Sequence, residues 1–330
     1  MAHVNAERPG PTKPLLNPGP LYRAMCLGFV VPLVAIVLSS FTTPGPPTPA
    51  ARLTHGMSVE LRQAADQRAG PRVLLFGGSS VAHGLRAEMV EAASGLASAN
   101  CGLHAGLSLD YQLRYVRSVA RTGDVVVLAI EYPLYNYSLT PSPFMVDYVL
   151  WMDPSFLSTK PALRQVQYRL SLPFEKRLLA LLLPSGGEEP ARWRVNRWGD
   201  AVENRAPKSV LIRRLYAQYK PRTDLRLSMH GRAELRTFLD DLATRGISKV
   251  FVTFPPLVQH RAYETPEFRE TSSRFRADLA SLGLEPLGDP LEFTYPVDLF
   301  YDTLLHLTDA GARHRTETLL RHLLPLLEKS

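Results

Sequence analysis

Short apolar runs alternate with longer amphipathic segments, and this alternation restricts the fold more than any other feature of the chain. The runs are RVLLF at 72–76, DVVVLAI at 124–130 and KVFVTF at 249–254, and a further strand is predicted to end at 100–102. Such continuous runs are typical of strands buried on both faces of a parallel sheet. Helices are predicted at about 109–120, 232–245 and 309–328. The sequence therefore predicts an α/β fold, a doubly wound parallel sheet in a three-layer α/β/α arrangement.

An uncharged apolar segment, AMCLGFVVPLVAIVLSSF at 24–41, precedes this predicted domain. At about 1.5 Å per residue its helix would span about 27 Å, close to the hydrocarbon thickness of a bilayer. Arg8, Lys13 and Arg23 precede the segment, and the next charge after them is Arg52. By the positive-inside rule we predict a cytoplasmic N-terminus at 1–23, a transmembrane helix at 24–41, a Pro-rich linker at 42–56 and an exported domain at 57–330. A cleavable signal peptide is the alternative.

The composition excludes several classes of function. Lysine and arginine number 38 against 31 acidic residues, but they are scattered without a basic run, so nucleic-acid binding is not indicated. Two cysteines, Cys26 and Cys101, are too few for a disulfide framework or a cysteine-based zinc site. The nine histidines show no paired ligand spacing, and we predict neither a metal nor a cofactor.

Two motifs at opposite ends of the domain carry side chains suited to acyl transfer. FGGSSVAHG at 76–84 predicts a strand end, a glycine turn and a helix start, which would place the Ser80 hydroxyl near amides that stabilise an oxyanion. Directly before the last helix, Asp302 and His306 stand four residues apart, within reach of each other as an acid and a base. A serine N-cap or a phosphate-binding glycine loop is the alternative for the first motif, and a structural histidine for the second.

With these motifs in this order, the chain resembles the SGNH (GDSL-like) hydrolase and acyltransferase superfamily over 72–131 and 249–328. The family's first block is Gly-Asp-Ser with a glycine four residues after the serine. Gly78-Ser79-Ser80 with Gly84 is similar, and the resemblance assigns the nucleophile to Ser80 with Ser79 in place of the acid. The last family block, Asp-x-x-His, is one residue longer here, at Asp302 and His306, so a Ser-His dyad without the aspartate is the alternative.

The resemblance also implies an oxyanion hole and a flavodoxin-like sheet. The backbone N–H groups of Ser80 and of Gly102 or Gly106, after the second strand, would supply the hole. The family's third block, Gly-x-Asn-Asp, is missing after the third strand, so either Asn136 substitutes or the backbone acts alone. Glu131 at that strand end is predicted to be structural, pairing with an arginine of the following insertion.

About one hundred residues, at 133–231, do not follow the alternation and are predicted to form an insertion or cap over the carboxyl ends of the strands. The segment RWRVNRWGD at 192–200 combines aromatic rings, cations and an acid, as sugar-binding grooves do. Trp198 and Asp200 are therefore candidate substrate contacts, and His104 is a candidate pocket residue. A loop bound to the domain or to an anionic membrane surface is the alternative.

The resemblance implies acyl-ester chemistry through a serine acyl-enzyme. The Gly-Ser-Ser variant resembles membrane-anchored proteins of cell-envelope polysaccharide O-acetylation. We therefore expect O-acetyl transfer onto an exported polysaccharide or another acyl acceptor, with a multi-pass membrane acyltransferase as partner. The expected location is the bacterial inner membrane with the domain in the periplasm. The alternatives are a periplasmic esterase or deacetylase, and a non-catalytic component of an envelope polysaccharide assembly complex.

Overall fold

The computed structural model describes residues 19–42, 47–136, 140–173, 175 and 194–328. Its seven strands are β1 (Arg72–Gly77), β2 (Ala97–Gly102), β3 (Val125–Ala129), β4 (Lys249–Val252), β5 (Leu257–Val258), β6 (Glu285–Pro286) and β7 (Thr294–Tyr295). Five of them form a parallel sheet in the order β2-β1-β3-β4-β6, and β5 pairs with β7. The predicted α/β class and parallel sheet are confirmed.

Thirteen helices lie in the described ranges. They are α1 (Gly19–Thr42), α2 (Pro49–Asp66), α3 (Ser79–Ala82), α4 (Ala87–Ser94), α5 (Leu109–Val119), α6 (Tyr132–Tyr135), α7 (Pro143–Trp151), α8 (Pro154–Ser158), α9 (Ala162–Leu170), α10 (Ser209–Ala217), α11 (Met229–Thr244), α12 (Pro266–Ala280) and α13 (Asp309–Glu328). Short 3₁₀ turns occupy Arg261–Tyr263, Pro290–Phe293 and Val297–Leu299.

Apolar side chains of the sheet pack on both of its faces. Along β1, Leu74 and Phe76 join a core with α2, α5 and α11, while Val73 and Leu75 join a second core with α4 and α13. At the amino edge of the sheet, fully buried Arg72 donates to both carboxylate oxygens of Asp124 at 3.1 and 2.5 Å. This arrangement is compatible with a three-layer α/β/α fold, and it leaves the carboxyl edge free for chemistry.

The structure describes parts of the predicted transmembrane helix and of the predicted linker. Residues 24–41 lie in α1, which contains Pro32, but no helix among the described residues combines the length and apolarity that crossing a membrane requires. The linker predicted at 42–56 ends early, because α2 begins at Pro49. Thr48 caps this helix by accepting the Ala51 N–H at 3.2 Å, and proline is favourable in a first helical turn. Residues 1–18 and 43–46 lie outside the described residues.

The insertion lies between α6 and α11, and its last part covers an edge of the sheet. The Asn100 N–H in β2 donates to the Trp198 carbonyl at 2.7 Å, and Val195 and Ala201 form an isolated antiparallel bridge within the insertion. Gly199 makes the close approach possible: its φ is +84°, and a Cβ there would lie 2.3 Å from the Asn100 carbonyl oxygen. Residues 174 and 176–193, which include the start of the RWRVNRWGD segment, lie outside the described part of the chain.

Candidate active site

The two adjacent serines occupy a one-turn helix at the carboxyl end of β1, but they face different surroundings. Ser80 is fully buried, and its hydroxyl has no hydrogen-bond partner among the described residues. Its carbonyl accepts from the buried Arg315 at 2.6 Å, so this side of the turn faces α13. Ser79 retains 7% of its surface. Of the two hydroxyls, that of Ser79 is the one on the less enclosed side of the turn.

A tight loop brings Asp302 and His306 together. An isolated antiparallel bridge joins Phe300 to Leu307, and the Tyr301 N–H donates to the His306 carbonyl at 2.8 Å. Within this loop His306 Nδ1 lies 2.7 Å from Asp302 Oδ1. Because an ionised carboxylate can only accept a hydrogen bond, it favours the tautomer with the proton on Nδ1 and leaves Nε2 as the basic nitrogen. The sequence expectation that these two residues meet is confirmed.

The surroundings keep Asp302 ionised. Burial by itself raises its pKa, but the hydrogen bond and charge interaction with His306, with a smaller contribution from Lys208, outweigh burial and lower the pKa below its usual value. Lys208 Nζ lies 3.4 Å from Asp302 Oδ2, and the Lys208 N–H donates to the Tyr301 carbonyl at 2.7 Å. The insertion therefore supports this loop through a residue that the sequence analysis did not identify.

His83 connects the serine turn to the histidine loop. Its ring stacks on that of His306 with centroids 4.3 Å apart and planes 25° apart. His83 follows Ser79 by four residues, so the two lie on one side of the helical turn. Four residues after Ser80 stands Gly84, where an added Cβ would lie 2.7 Å from the Arg315 guanidinium. The four-residue spacing places Ser79 on the same side of the turn as His83, and the contact with Arg315 places the Ser80 backbone toward the core.

His83 is electrically neutral at neutral pH. Burial, with smaller contributions from nearby positive charges, lowers its pKa to about 3. An imidazolium formed at His306 would therefore stack on a neutral ring and not on a second cation.

The amide expected to help form the oxyanion hole at Ser80 has another partner. Ser80 N–H donates to Glu131 Oε1 at 3.2 Å, and the Gly78 N–H donates to Glu131 Oε2 at 3.1 Å. Glu131 is 2% exposed, and within the described residues it has no ion pair with an arginine of the insertion. The Ser79 N–H lies between these two amides in the chain, and it has no hydrogen-bond acceptor in the described part of the chain. The free donor is therefore on Ser79.

The other expected oxyanion donors are also engaged or remote. The Gly102 N–H donates to Asn100 Oδ1 at 3.1 Å, and the Gly106 N–H donates to His104 Nδ1 at 2.9 Å. Asn136 is exposed just after α6 and makes no described contact with the serine turn or the histidine loop. The oxyanion role that the resemblance implies for these three residues stays a prediction.

His104 does lie near the site. Its ring stacks on Phe144 of the insertion with centroids 3.9 Å apart. Its pKa is lowered by burial and by the charge of His306, so the two imidazoles are electrostatically coupled. Its predicted place in the pocket wall is compatible with this position and stays a prediction.

Asp200 and Trp198 both have structural partners, and Asp200 also lines a cleft of about 430 Å³, so their predicted role as substrate contacts stays a prediction. Asp200 is 1% exposed and accepts the amides of Ala87 and Glu88 at 2.8 and 3.2 Å, which caps α4. Burial raises its pKa. The Trp198 ring packs beneath the Arg197 guanidinium, 3.9 Å from the ring centroid, at the β2 edge.

Sequence reasoning missed Asn204, which joins the two halves of the site. The side chain is 1% exposed, and its amide nitrogen donates to the carbonyls of His83 at 3.0 Å and Leu307 at 2.6 Å. Its Oδ1 accepts from Arg86 at 3.1 Å. One asparagine therefore fixes the end of the serine helix against the residue that follows His306. A lone asparagine within VENRAP gives no sequence signal of this role.

A cleft of about 230 Å³ opens beside the histidine loop. Its walls come from the ends of β3 and β4, the insertion and the loop between Asp302 and His306, and they are mainly apolar and aromatic. The lining includes Glu131, Tyr132, Tyr219, Lys220, Arg222, Tyr263, Leu304 and Leu305. The cleft adjoins the histidine loop through Leu304 and Leu305.

Comparisons with known proteins identify no relative: no family model, no curated protein and no solved structure matches the chain. Within the described residues no group of three or more His, Cys, Asp or Glu side chains is arranged to hold a metal ion. The fold and the geometry of the site therefore carry the functional argument.

Proposed function

We propose that this protein is a serine-dependent acyl-ester enzyme of the SGNH-like class, with Ser79, His306 and Asp302 at its centre. The observation that carries the proposal is the ring stack of His83 on His306, which joins the helical face of Ser79 to an Asp-oriented imidazole at the carboxyl edge of a parallel sheet. Open α/β sheets bind their ligands at this edge.

The nucleophile in this proposal is Ser79, not the Ser80 of the sequence resemblance. His306 Nε2 takes the proton of the Ser79 hydroxyl while the oxygen attacks the carbonyl carbon of an acyl ester. The Ser79 N–H donates to the oxyanion that forms. When the ester bond breaks, the imidazolium returns the proton to the leaving oxygen, and an acyl-serine remains. An acceptor hydroxyl then loses its proton to His306 and attacks the acyl-serine, and the imidazolium gives this proton to the departing Ser79 oxygen, which restores the free serine.

The acceptor decides between transfer and hydrolysis. We propose O-acetyl transfer onto a sugar hydroxyl of an exported polysaccharide, with a multi-pass membrane acyltransferase supplying the acyl group, on the resemblance described above. The cleft supports an acyl-binding role but does not distinguish acetyl from larger groups. Mass spectrometry of glycan oligomers incubated with the protein and an aryl acetate measures transfer, and release of acetate without glycan acetylation would favour the esterase.

The compartment belongs to the same proposal. The apolar residues at 24–41 and the basic residues before them favour an N-terminal anchor with the domain in the periplasm. Protease protection of intact and opened spheroplasts tests this, because a cytoplasmic domain would be cleaved only after the membrane is broken.

Fluorophosphonate labelling of the full chain, read by peptide mass spectrometry, tests the chemistry. We expect one adduct on Ser79 that is absent from Ser79→Ala and His306→Ala and present in Ser80→Ala. An adduct on Ser80 would return the nucleophile to that residue. A folded protein without any adduct would favour the non-catalytic component of an assembly complex.

A further inference from the structure

We propose that Glu131 is a positioning residue of the serine turn: a buried carboxylate supplied from the end of β3 that replaces a side chain at position 78. The inference rests on the proposed function, because it concerns how Ser79 is presented for reaction. It assigns to Glu131 a part in the chemistry that neither its sequence context nor the predicted ion pair indicates.

The first observation is that the carboxylate of Glu131 occupies the space of a missing side chain. Gly78 is the N-cap residue of α3 and has no side chain to cap it. A Cβ added to Gly78 would lie 2.4 and 2.5 Å from the two Glu131 carboxylate oxygens. An aspartate at an N-cap accepts the amide two or three residues on, and the amide of Ser80 is the one that Glu131 holds. Glu131 is thus a cap contributed from another strand.

The second observation is that the opposite side of the turn is held by an opposite charge. Arg315 is fully buried, and its guanidinium donates to the Ser80 carbonyl at 2.6 Å and to the Phe254 carbonyl at 2.8 Å. Burial lowers the pKa of Arg315 to about 10, and the charge of Glu131 is among the groups that oppose this shift. The turn therefore lies between a buried anion at its N–H groups and a buried cation at a carbonyl.

The consequence concerns the amide between the two that are bonded. Glu131 takes the N–H groups of Gly78 and Ser80, so the orientation of the peptide plane on each side of Ser79 is fixed. The Ser79 N–H stays available for an oxyanion, and Ser79 stays on the side of the turn that His83 shares. Because preorganised donors stabilise a developing charge without reorganisation, loosening this turn should lower reactivity more than stability.

A glutamine at 131 is a sharp probe of this role. The two N–H groups need two acceptor oxygens, and an amide side chain offers one oxygen and one NH₂ donor that would face another donor. Glu131→Gln therefore keeps the volume but cannot hold both amides. The double variant Glu131→Ala/Gly78→Asp removes the carboxylate at position 131 and supplies one from position 78 instead, next to the same two N–H groups.

The experiment measures the rate of fluorophosphonate adduct formation on Ser79 in the full chain, with thermal unfolding as the folding control. We expect Glu131→Gln and Glu131→Ala to label about tenfold to a hundredfold more slowly. Gly78→Asp alone should also be slow, because two carboxylates then compete for one space. The double variant should be faster than either single variant and within about threefold of wild type. Glu91→Gln is the control, because Glu91 also accepts a backbone amide, that of Ser98 at 2.9 Å, but makes no described contact with the serine turn. This variant should label at the wild-type rate.

The outcomes separate this inference from the proposed function. A wild-type protein without an adduct overturns both. A wild-type adduct on Ser79 with an unchanged rate in Glu131→Gln, or a double variant no faster than the slower single variant, overturns the role of Glu131 alone. If Glu131→Ala does not fold, recovery of both folding and adduct in the double variant supports the inference, and failure to recover them overturns it.

Discussion

Asn204 offers the most exacting test of how the site is assembled, because it touches neither the serine nor the catalytic histidine side chain. In Asn204→Ala the carbonyls of His83 and Leu307 lose a shared donor, and Arg86 loses an acceptor. Asn204→Asp keeps the size of the side chain but sets a carboxylate oxygen against both carbonyls. We expect both variants to separate the serine helix from the histidine loop.

The size of the effect follows from the hydrogen bonds that are lost. Three bonds to a side chain that is 1% exposed disappear in Asn204→Ala. At about 0.5–1.5 kcal/mol net for each bond, the free energy of unfolding should fall by roughly 2–4 kcal/mol. A domain of ordinary stability, about 5–15 kcal/mol, would remain folded. The aspartate should cost more, because it replaces attraction with repulsion.

Urea unfolding measures the stability, and the rate of Ser79 labelling measures the site. Asn196→Ala is the matched control, because Asn196 Oδ1 accepts the amides of Trp198 and Asp200 at 2.9 and 3.0 Å within the same insertion, away from His306. We expect Asn196→Ala to lose stability with normal labelling and Asn204→Ala to lose both. Labelling of Asn204→Ala at the wild-type rate would refute the view that this residue aligns the two loops.

Three further predictions follow from buried charges and the histidine pair. Asp302→Asn should slow labelling about 10³–10⁴-fold with little change in melting temperature, because an amide does not fix the same imidazole tautomer; an unchanged rate would favour the Ser-His dyad. Arg72→Met should lower the free energy of unfolding, measured in urea, by about 3–5 kcal/mol, because it leaves the buried Asp124 carboxylate without its charged partner. Adding Asp124→Leu should recover part of this loss, and additive losses of the two variants would contradict the reasoning. Burial lowers the pKa of His83 from 6.5 to about 3, so the unfolded chain binds a proton at this residue before the folded chain does, and the free energy of unfolding should fall as the pH drops from 6.5 toward 3. His83→Phe should flatten this decline between pH 6.5 and 4.5, and an identical pH profile would contradict the assignment.

The strands were predictable because their signal is local. Runs such as 72–76 and 124–130 are apolar on both faces, and only the interior of a covered parallel sheet accommodates that pattern. The pairing of Asp302 with His306 was also accessible, because four residues in one loop limit how far apart the two can lie. The same reasoning missed the short strands β5, β6 and β7, whose two residues each carry no periodicity.

The parts of the site that depend on contacts across the fold were not predictable. Nothing near Glu131 in the sequence shows that its carboxylate reaches an amide at Gly78, 53 positions earlier. Ser79 and Ser80 are identical in type and adjacent, so only the side on which α13 packs separates them. The residue types around Asp200 are common in sugar-binding sites, but they do not indicate that its carboxylate caps the helix α4.

The backbone pairing of Trp198 with Asn100 has a consequence for how the molecule behaves toward its own copies. Parallel sheets end in strands whose unpaired N–H and carbonyl groups invite addition of a strand from another chain. The segment around Trp198 takes up one N–H of the β2 edge, and at the opposite edge β6 is two residues long. A variant with a shortened insertion is therefore expected to expose more of the β2 edge to strand addition from another chain.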